Sequence, residues 1–339
     1  MKAVVCVPGG AEVTNVADPR PAASEVVVEV DACGLCGFDV HAVEHGLTRL
    51  GQILGHEFGG RIAALGREVT GWRVGQPVAV NPLGSCRACR ACQGGLPFRC
   101  EAVPNVGVTA PGAYAEYVAV PHGQLVALPE ELPAELGAHA EPLAVALQAV
   151  SNAGIRPGDA ALVYGVGTIG LNVIMALRLA GAGLIVAAGR SAGRRAAAAR
   201  VGADEVFDTR EVSVTGYATR GGHRFAAVLE CSAAPGAVTE ALDVLAPGGI
   251  CVEVALTSEA APVPLGRLVG DGLRLAGSCA FAYPAYQTAV AHIVSGRVPV
   301  TALISERVTL ERTPDALLRL RRPGSLVRVL TRPGPGPSA

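Results

Sequence analysis

Lysine is almost missing from this chain: Lys2 is the only one, and arginine carries the rest of the basic charge. Acidic and basic residues nearly cancel, for a formal net charge of −1. Such a balance gives no field to draw nucleic acid or an anionic membrane, and neither is expected as a partner. Long apolar runs are missing as well. Half of the residues are hydrophobic, yet no stretch reaches the roughly 20 apolar residues of a membrane-spanning helix. The opening Met1-Lys2-Ala3-Val4-Val5-Cys6 lacks the ordered charged, apolar and cleavage regions of a signal peptide and reads as a first strand. There is no internal repeat. The ten cysteines sit in too long a chain, and too clustered, for a small secreted disulfide scaffold. Cys6, Cys33, Cys231, Cys251 and Cys279 fall in apolar stretches, as buried thiols do. A reducing cytoplasm is the expected compartment.

The 339 residues allow two domains. Residues 1–145 alternate short β-rich runs, such as Glu25–Val30 and Val78–Val80, with Gly/Pro turns, which predicts a β-rich barrel or sandwich. From about residue 146 to 285 strands alternate with helices: Ala160–Tyr164, a helix from Thr168 to Ala180, Leu184–Ala188, a helix from Arg194 to Val201, then strands at Ala226–Glu230 and Ile250–Val254. That alternation predicts an α/β doubly wound parallel sheet. Residues 286–339, with a helix from Tyr286 to Ser295, are expected to return to the first domain. The Pro/Gly-rich tail from Arg332 to Ala339 is expected to fray.

Cys86, Cys89, Cys92 and Cys100 follow the pattern C-x2-C-x2-C-x7-C. Four thiolates at this spacing close around one tetrahedral Zn²⁺ and leave no open position, so the lobe, about residues 84–103, is expected to be structural. Upstream, Cys36 and His56 offer a soft and an imidazole ligand, and Glu57 or Glu141 a carboxylate. Three protein ligands with one open position make a catalytic zinc site. Taken singly, each of these residues has a blander role, as a buried thiol or a loop cap.

Gly165-Val166-Gly167-Thr168-Ile169-Gly170 fits G-x-G-x-x-G between a strand and a helix, the context of a dinucleotide turn. Its glycines let the backbone approach a pyrophosphate seated on the helix N-terminus. About 20 residues on, a carboxylate that binds the ribose 2′-OH is expected in an NAD site. Gly189, Arg190 and Ser191 stand there instead, with Arg194 and Arg195 close behind. With no carboxylate to repel a 2′-phosphate and guanidinium groups to pair with it, the sequence favours NADP(H) over NAD(H).

Together, C-G-L-C-G-F-D-V-H (33–41), G-H-E-F-G-G (55–60), the four-cysteine lobe, E-P-L-A-V-A-L (141–147) and G-V-G-T-I-G (165–170) resemble the zinc-dependent medium-chain alcohol dehydrogenases. The likeness spans nearly the whole chain and is greatest to the polyol, sorbitol, threonine and aminocyclitol branch. The segment from Glu141 is similar to the same stretch of 2-deoxy-scyllo-inosamine dehydrogenases. The resemblance implies a GroES-like catalytic domain, a Rossmann domain, an active site between them and a homodimer or homotetramer. It implies two zinc ions per chain. Cys36 and His56 fall on ligand positions, Glu141 on the third, and Glu57 on a residue that ligates or stands behind the metal. Asp39 falls on the acceptor that orients the His56 ring. The implied reaction moves a hydride between the nicotinamide and a small-molecule secondary alcohol or ketone, with zinc as Lewis acid.

Two positions depart from the family pattern. Phe38 stands where a Ser or Thr hydroxyl begins a proton relay to His41, so the relay is broken at its first step. Ala280-Phe281 stands where polyol dehydrogenases carry Arg-Tyr, which argues against a sorbitol-like substrate. The leading expectation is an NADP(H)-dependent alcohol dehydrogenase or ketone reductase acting on a cyclitol, sugar or secondary-metabolite intermediate. A reductase of an activated C=C or C=N bond also fits a broken relay. A non-enzymatic binding protein of the same fold would have no use for an open zinc site.

Overall fold

In the computed structural model of the protein the described residues are 1–44, 46, 48–257, 260–320 and 324–334. From Pro335 onward the tail expected to fray lies outside them.

The chain opens with β1 (Lys2–Val7) and β2 (Gly10–Asn15), an antiparallel pair. Next come β3 (Glu25–Gly34), α1 (Gly37–Glu44), β4 (Glu57–Leu65), β5 (Pro77–Val80), the short α2 (Arg90–Gln93), β6 (Tyr117–Pro121) and β7 (Leu125–Ala127). After α3 (Ala140–Ala153) strands and helices alternate: β8 (Ala160–Tyr164), α4 (Thr168–Leu179), β9 (Leu184–Ala188), α5 (Ala192–Arg200), β10 (Glu205–Phe207), α6 (Val214–Gly221), β11 (Phe225–Glu230), α7 (Ala237–Val244), β12 (Leu245–Glu253), α8 (Leu265–Gly270) and β13 (Arg274–Gly277). The order closes with α9 (Tyr283–Val294), β14 (Ile304–Thr309), α10 (Thr313–Leu320) and β15 (Arg328–Arg332). Two compact units result: residues 1–141 with 281–339, and residues 142–280.

The first unit is built on a mixed sheet in the order β14-β15-β3-β4-β5-β7, with β6 also paired to β3. Val26, Val27, Val28, Val30, Ala32 and Cys33 of β3 are all buried. A strand covered on both faces reads as a continuous apolar run rather than an alternation. Register shifts against β4, between Val27 and Val28 and between Val30 and Ala32, bend the pair. β15 pairs with β3 through Leu330 and Thr331 opposite Gly34 and Cys33, so Arg328 at its start comes to the end of β3.

The second unit is a parallel sheet in the order β10-β9-β8-β11-β12-β13. Ala161–Val163 and Ile185–Ala188 are fully buried, as strands covered by helices on both faces must be. The strand order reverses between β8 and β11, the switch point at which such sheets open a ligand crevice.

Three local expectations are corrected. α5 begins at Ala192 rather than Arg194, because the Ser191 hydroxyl caps its first turn by accepting from Arg194 N. α9 begins at Tyr283 rather than Tyr286, with Pro284 in its first turn, where no amide hydrogen is needed. Cys279, expected to be buried, is exposed, since it lies just past the end of β13.

Candidate functional site

Four residues of the first unit converge where β3 and β4 meet. Cys36 lies between the end of β3 and the start of α1, and its Sγ accepts from Phe38 N at 3.4 Å. His56 directly precedes β4, and Glu57 is its first residue. The ligand atoms of Cys36, His56 and Glu57 all lie within 4.8 Å of one another. Asp39, fully buried in the first turn of α1, turns Oδ1 toward His56 Nδ1 at 3.4 Å. That arrangement leaves the opposite ring nitrogen to face a metal. Glu57 is also paired with Arg328, whose Nη2 donates to the carbonyl of Ala138. A Cβ on Gly34 would come within 2.0 Å of the Arg328 guanidinium, so a side chain there would evict it.

Glu141, in the first turn of α3, is buried but falls outside the group of mutually close ligand atoms. The Phe38 ring meets the His56 ring edge-on, with centroids 5.8 Å apart. His41, one turn further along α1, is exposed.

Cys86, Cys89, Cys92 and Cys100 also bring their sulfurs within 4.8 Å of one another. Cys86 Sγ and Cys92 Sγ are 3.9 Å apart. A disulfide needs about 2.05 Å, whereas two thiolates on one tetrahedral zinc stand about 3.8 Å apart, given Zn–S of about 2.3 Å. Cys89 N and Cys92 N donate back to Cys86 Sγ and Cys89 Sγ, so the turn itself aims the sulfurs inward. Arg87, held at φ 57°, lies over the Tyr283 ring and ties the lobe to α9.

In the second unit Gly165 leaves β8 with φ 105°, and a Cβ on it would come 2.7 Å from Ser232 N. A Cβ on Gly170 would strike Gly165 O at 1.8 Å. The first glycine is thus required by the turn and the last by its close approach to the helix. Gly167 caps α4, Thr168 and Ile169 form its first turn, and Val166 is buried. A Cβ on Gly189 would meet Val166 Cγ2 at 2.3 Å, so a side chain at the end of β9 would require the Val166 side chain to shift. The two neighbouring arginines of α5 differ. Arg194 Nη1 comes within 3.9 Å of where a Gly167 Cβ would be, over the glycine turn. Arg195 is turned away, bonded to the carbonyls of Gly189 and Arg190 and to Asp208 Oδ2 at 2.8 Å. Arg190 is exposed.

The sequence profile of the alcohol dehydrogenase GroES-like domain matches residues 22–130. That of the zinc-binding dehydrogenases matches residues 168–295. D-xylulose reductase A of Aspergillus oryzae is 32% identical over 307 residues, covering 87% of this chain and 86% of that one. Scyllo-inosose 3-dehydrogenase of Thermotoga maritima is 32% identical over 351 residues, covering 94% and 88%. A zinc-binding dehydrogenase of Sinorhizobium meliloti 1021, solved with NADP, superposes with a TM-score of 0.90 at 30% identity, over 98% of this chain and 99% of that one. The chain belongs to the zinc-dependent medium-chain dehydrogenases. It is an oxidoreductase of alcohol dehydrogenase type, with a GroES-like unit and a Rossmann unit, of a family that uses zinc and a nicotinamide cofactor.

The electrostatics of this dehydrogenase fit the metal. Burial, and then the Glu57 carboxylate, push the Cys36 thiol up to about 12. Burial and Glu57 likewise push Glu141 up to about 8. Burial works against a charged His56, but Asp39 and Cys36 outweigh it and hold the imidazole well above its ordinary range. Without a metal, then, the thiol and the Glu141 carboxyl are held protonated beside the buried Glu57–Arg328 pair. A divalent cation at this point would reverse the preference of both groups.

Two residues of this surrounding were missed in the sequence reading. Arg328 is an arginine at the start of an apolar strand, 1% exposed, and a charge in such a run is itself a hint of a buried partner. Tyr114 is 0% exposed and donates its hydroxyl to Asp39 Oδ2 at 2.5 Å.

Proposed function

We propose that this chain moves a hydride between NADP(H) and a secondary alcohol or its ketone, on a cyclitol, sugar or related secondary-metabolite intermediate. The observation that carries the reading is the convergence of Cys36, His56 and Glu57 on one point, with Glu141 buried close by. Cys36, His56 and one of the two carboxylates would hold a catalytic zinc, and Cys86, Cys89, Cys92 and Cys100 a structural one, two per chain. When bound, the first ion supplies Lewis acidity at the substrate oxygen. Asp39 holds the His56 ring, Arg328 neutralises Glu57, and Phe38 closes one side of the imidazole to water. Because Phe38 carries no exchangeable proton, the relay to His41 is cut at its first step, and water or the Glu57 or Glu141 carboxylate would carry the substrate proton.

In the second unit the turn from Gly165 to Gly170 would cradle the pyrophosphate, and Arg190, Ser191 and Arg194 the adenosine ribose with its 2′-phosphate. Gly189 leaves no carboxylate to oppose that phosphate. The relatives that act on xylulose and scyllo-inosose support a polyhydroxylated substrate. A homodimer or homotetramer is supported by the edge strand β13, with Leu275 exposed, and by the exposed Leu265 and Val269 of α8. The cytoplasm suits a protein whose zinc ligands must stay reduced.

The test is turnover of NADPH and NADH against a panel of cyclitol, sugar and aryl ketones, together with metal analysis. Two zincs per chain and ketone-dependent oxidation of NADPH support the reading; a single zinc, or tighter NADH binding, overturns the corresponding part. The Phe38 side chain favours a second reading, reduction of an activated C=C or C=N bond, in which no alkoxide proton has to leave. Turnover of an enone or iminium with little alcohol oxidation would select it.

A further inference from the structure

We propose that Tyr114 is a positioning residue for the metal centre: its buried hydroxyl fixes the Asp39 carboxylate, and through it the ring of His56. This rests on the reading of Cys36 and His56 as zinc ligands.

The backbone pins Tyr114 from two sides. Val4 N donates to Tyr114 O at 2.8 Å, and Tyr114 N donates to Leu54 O at 3.0 Å. Ala113 N donates to Gly55 O, so this segment is stitched to the stretch that delivers His56. The side chain belongs to the apolar core of the first unit and is fully buried. Its hydroxyl has one proton and two acceptors in reach, Asp39 Oδ2 at 2.5 Å and Gly34 O at 3.1 Å. The shorter contact, to the carboxylate, is the stronger.

Asp39 Oδ2 also accepts from Cys36 N at 3.3 Å. With Oδ2 taken by two donors, Oδ1 is the atom left to face His56. Among the described residues, Asp39 Oδ1 and His56 Nδ1, both buried, have no hydrogen bond to any third group, and their 3.4 Å approach is the polar contact each has. The final torsion of an aspartate is broad and nearly two-fold, so the plane of a buried carboxylate is set by its partners and not by its own rotamer. Without the Tyr114 hydroxyl the Cys36 amide alone would hold Oδ2, and the carboxylate could turn. The imidazole would then lose the acceptor that orients its metal-facing nitrogen.

Tyr114→Phe keeps the ring and the core volume and removes only the hydroxyl. The full-length zinc-loaded protein is titrated with a competing chelator, and the first site is reloaded with Co²⁺ to read its d–d absorption. The expected result is a loss of zinc affinity at the first site of up to about 10-fold, the low end of the effect of removing the ligand's direct partner, since the Cys36 amide still holds Oδ2. The cobalt spectrum shifts and the four-cysteine site keeps its metal. In an Asp39→Asn background the same substitution has no further effect, because its route is already cut. Unchanged affinity and spectrum in Tyr114→Phe, or an equal loss in both backgrounds, overturns the proposal. Should Tyr114→Phe fail to fold, a fluorinated tyrosine introduced at position 114, which keeps the ring and the hydroxyl but alters its hydrogen bond, takes its place: a shifted cobalt spectrum supports the proposal and an unchanged one overturns it. A wild-type protein whose zinc content is indifferent to His56→Ala fails differently: it removes the metal reading itself.

Discussion

Glu57 and Arg328 stand 271 residues apart in sequence and form an ion pair in which each side chain is 1% exposed. The pair joins the first residue of β4 to the first residue of β15, on the wall of the proposed metal site. Removing one partner of such a pair leaves a bare charge out of water and costs about 3–5 kcal/mol. Arg328→Met is therefore expected to destabilise the protein by about that much in urea unfolding. Arg328→Lys should lose less, since it keeps the charge but not the second hydrogen bond to Ala138. An unchanged midpoint in Arg328→Met would show that the pair does not stabilise the fold.

The two candidate carboxylates are separable by pH. Glu141 is raised from its ordinary 4.5 to about 8, by burial first and Glu57 second. A carboxyl whose folded value is raised costs stability as pH climbs: the cost begins above the unfolded value and is complete above about 8. Metal-free protein should lose stability between about pH 5 and pH 8, and Glu141→Gln should flatten that slope. Glu253, also raised to about 8 by burial and by Glu230, keeps part of the slope in every variant, so the quantity that decides is the difference between wild type and Glu141→Gln. If Glu141 is the third ligand, zinc loading removes that difference, because the bound carboxylate is already ionised; if the difference survives zinc loading, Glu57 holds the metal.

Arg194 and Arg195 should behave differently despite their adjacency. Arg194 reaches over the glycine turn, whereas Arg195 is committed to Asp208 and two carbonyls. A charge-assisted hydrogen bond contributes about 1.5–3 kcal/mol, or about 10- to 100-fold. Arg194→Ala should raise KM for NADPH by that factor and leave NADH nearly unaffected. Arg195→Ala should lower the thermal midpoint and move both cofactors alike. Steady-state kinetics with each cofactor checks this, and equal shifts in Arg194→Ala would count against a 2′-phosphate site.

Phe38 and His41 test the proton route. If water already carries the proton, Phe38→Ser and His41→Ala should each leave kcat within a few-fold and its pH profile in place. Loss of most activity in Phe38→Ser alone would mean instead that the ring, 5.8 Å from His56, shapes the substrate space.

The fold class was legible because each half has its own local signature. β8 and β9 are short, fully buried apolar runs separated by a glycine turn and a helix, and nothing but a parallel sheet uses that pattern. The four cysteines are equally local, since a span of fifteen residues confines them whatever the rest of the chain does. Helix starts were misplaced by two or three residues where the start lies in a cap or a proline, at Ser191 and Pro284, rather than in the apolar period. Tyr114 and Arg328 were invisible for another reason. Their partners, Asp39 and Glu57, are 75 and 271 residues away, and no spacing rule spans such distances. Cys279 was misjudged because an apolar neighbourhood in sequence says nothing about where a strand stops.

The unit that holds Cys36, His56 and Glu57 is assembled from both ends of the chain, residues 1–141 and 281–339. A ribosome adds about 5–20 residues per second, so Glu57 is synthesised on the order of half a minute before the arginine that neutralises it. Over that interval the nascent chain has β3 and β4 but neither the closing strand β15 nor its cation. A polypeptide released before residue 328 would carry the Glu57 carboxylate without its guanidinium and an open sheet edge beside β3, the kind of edge that pairs with other chains.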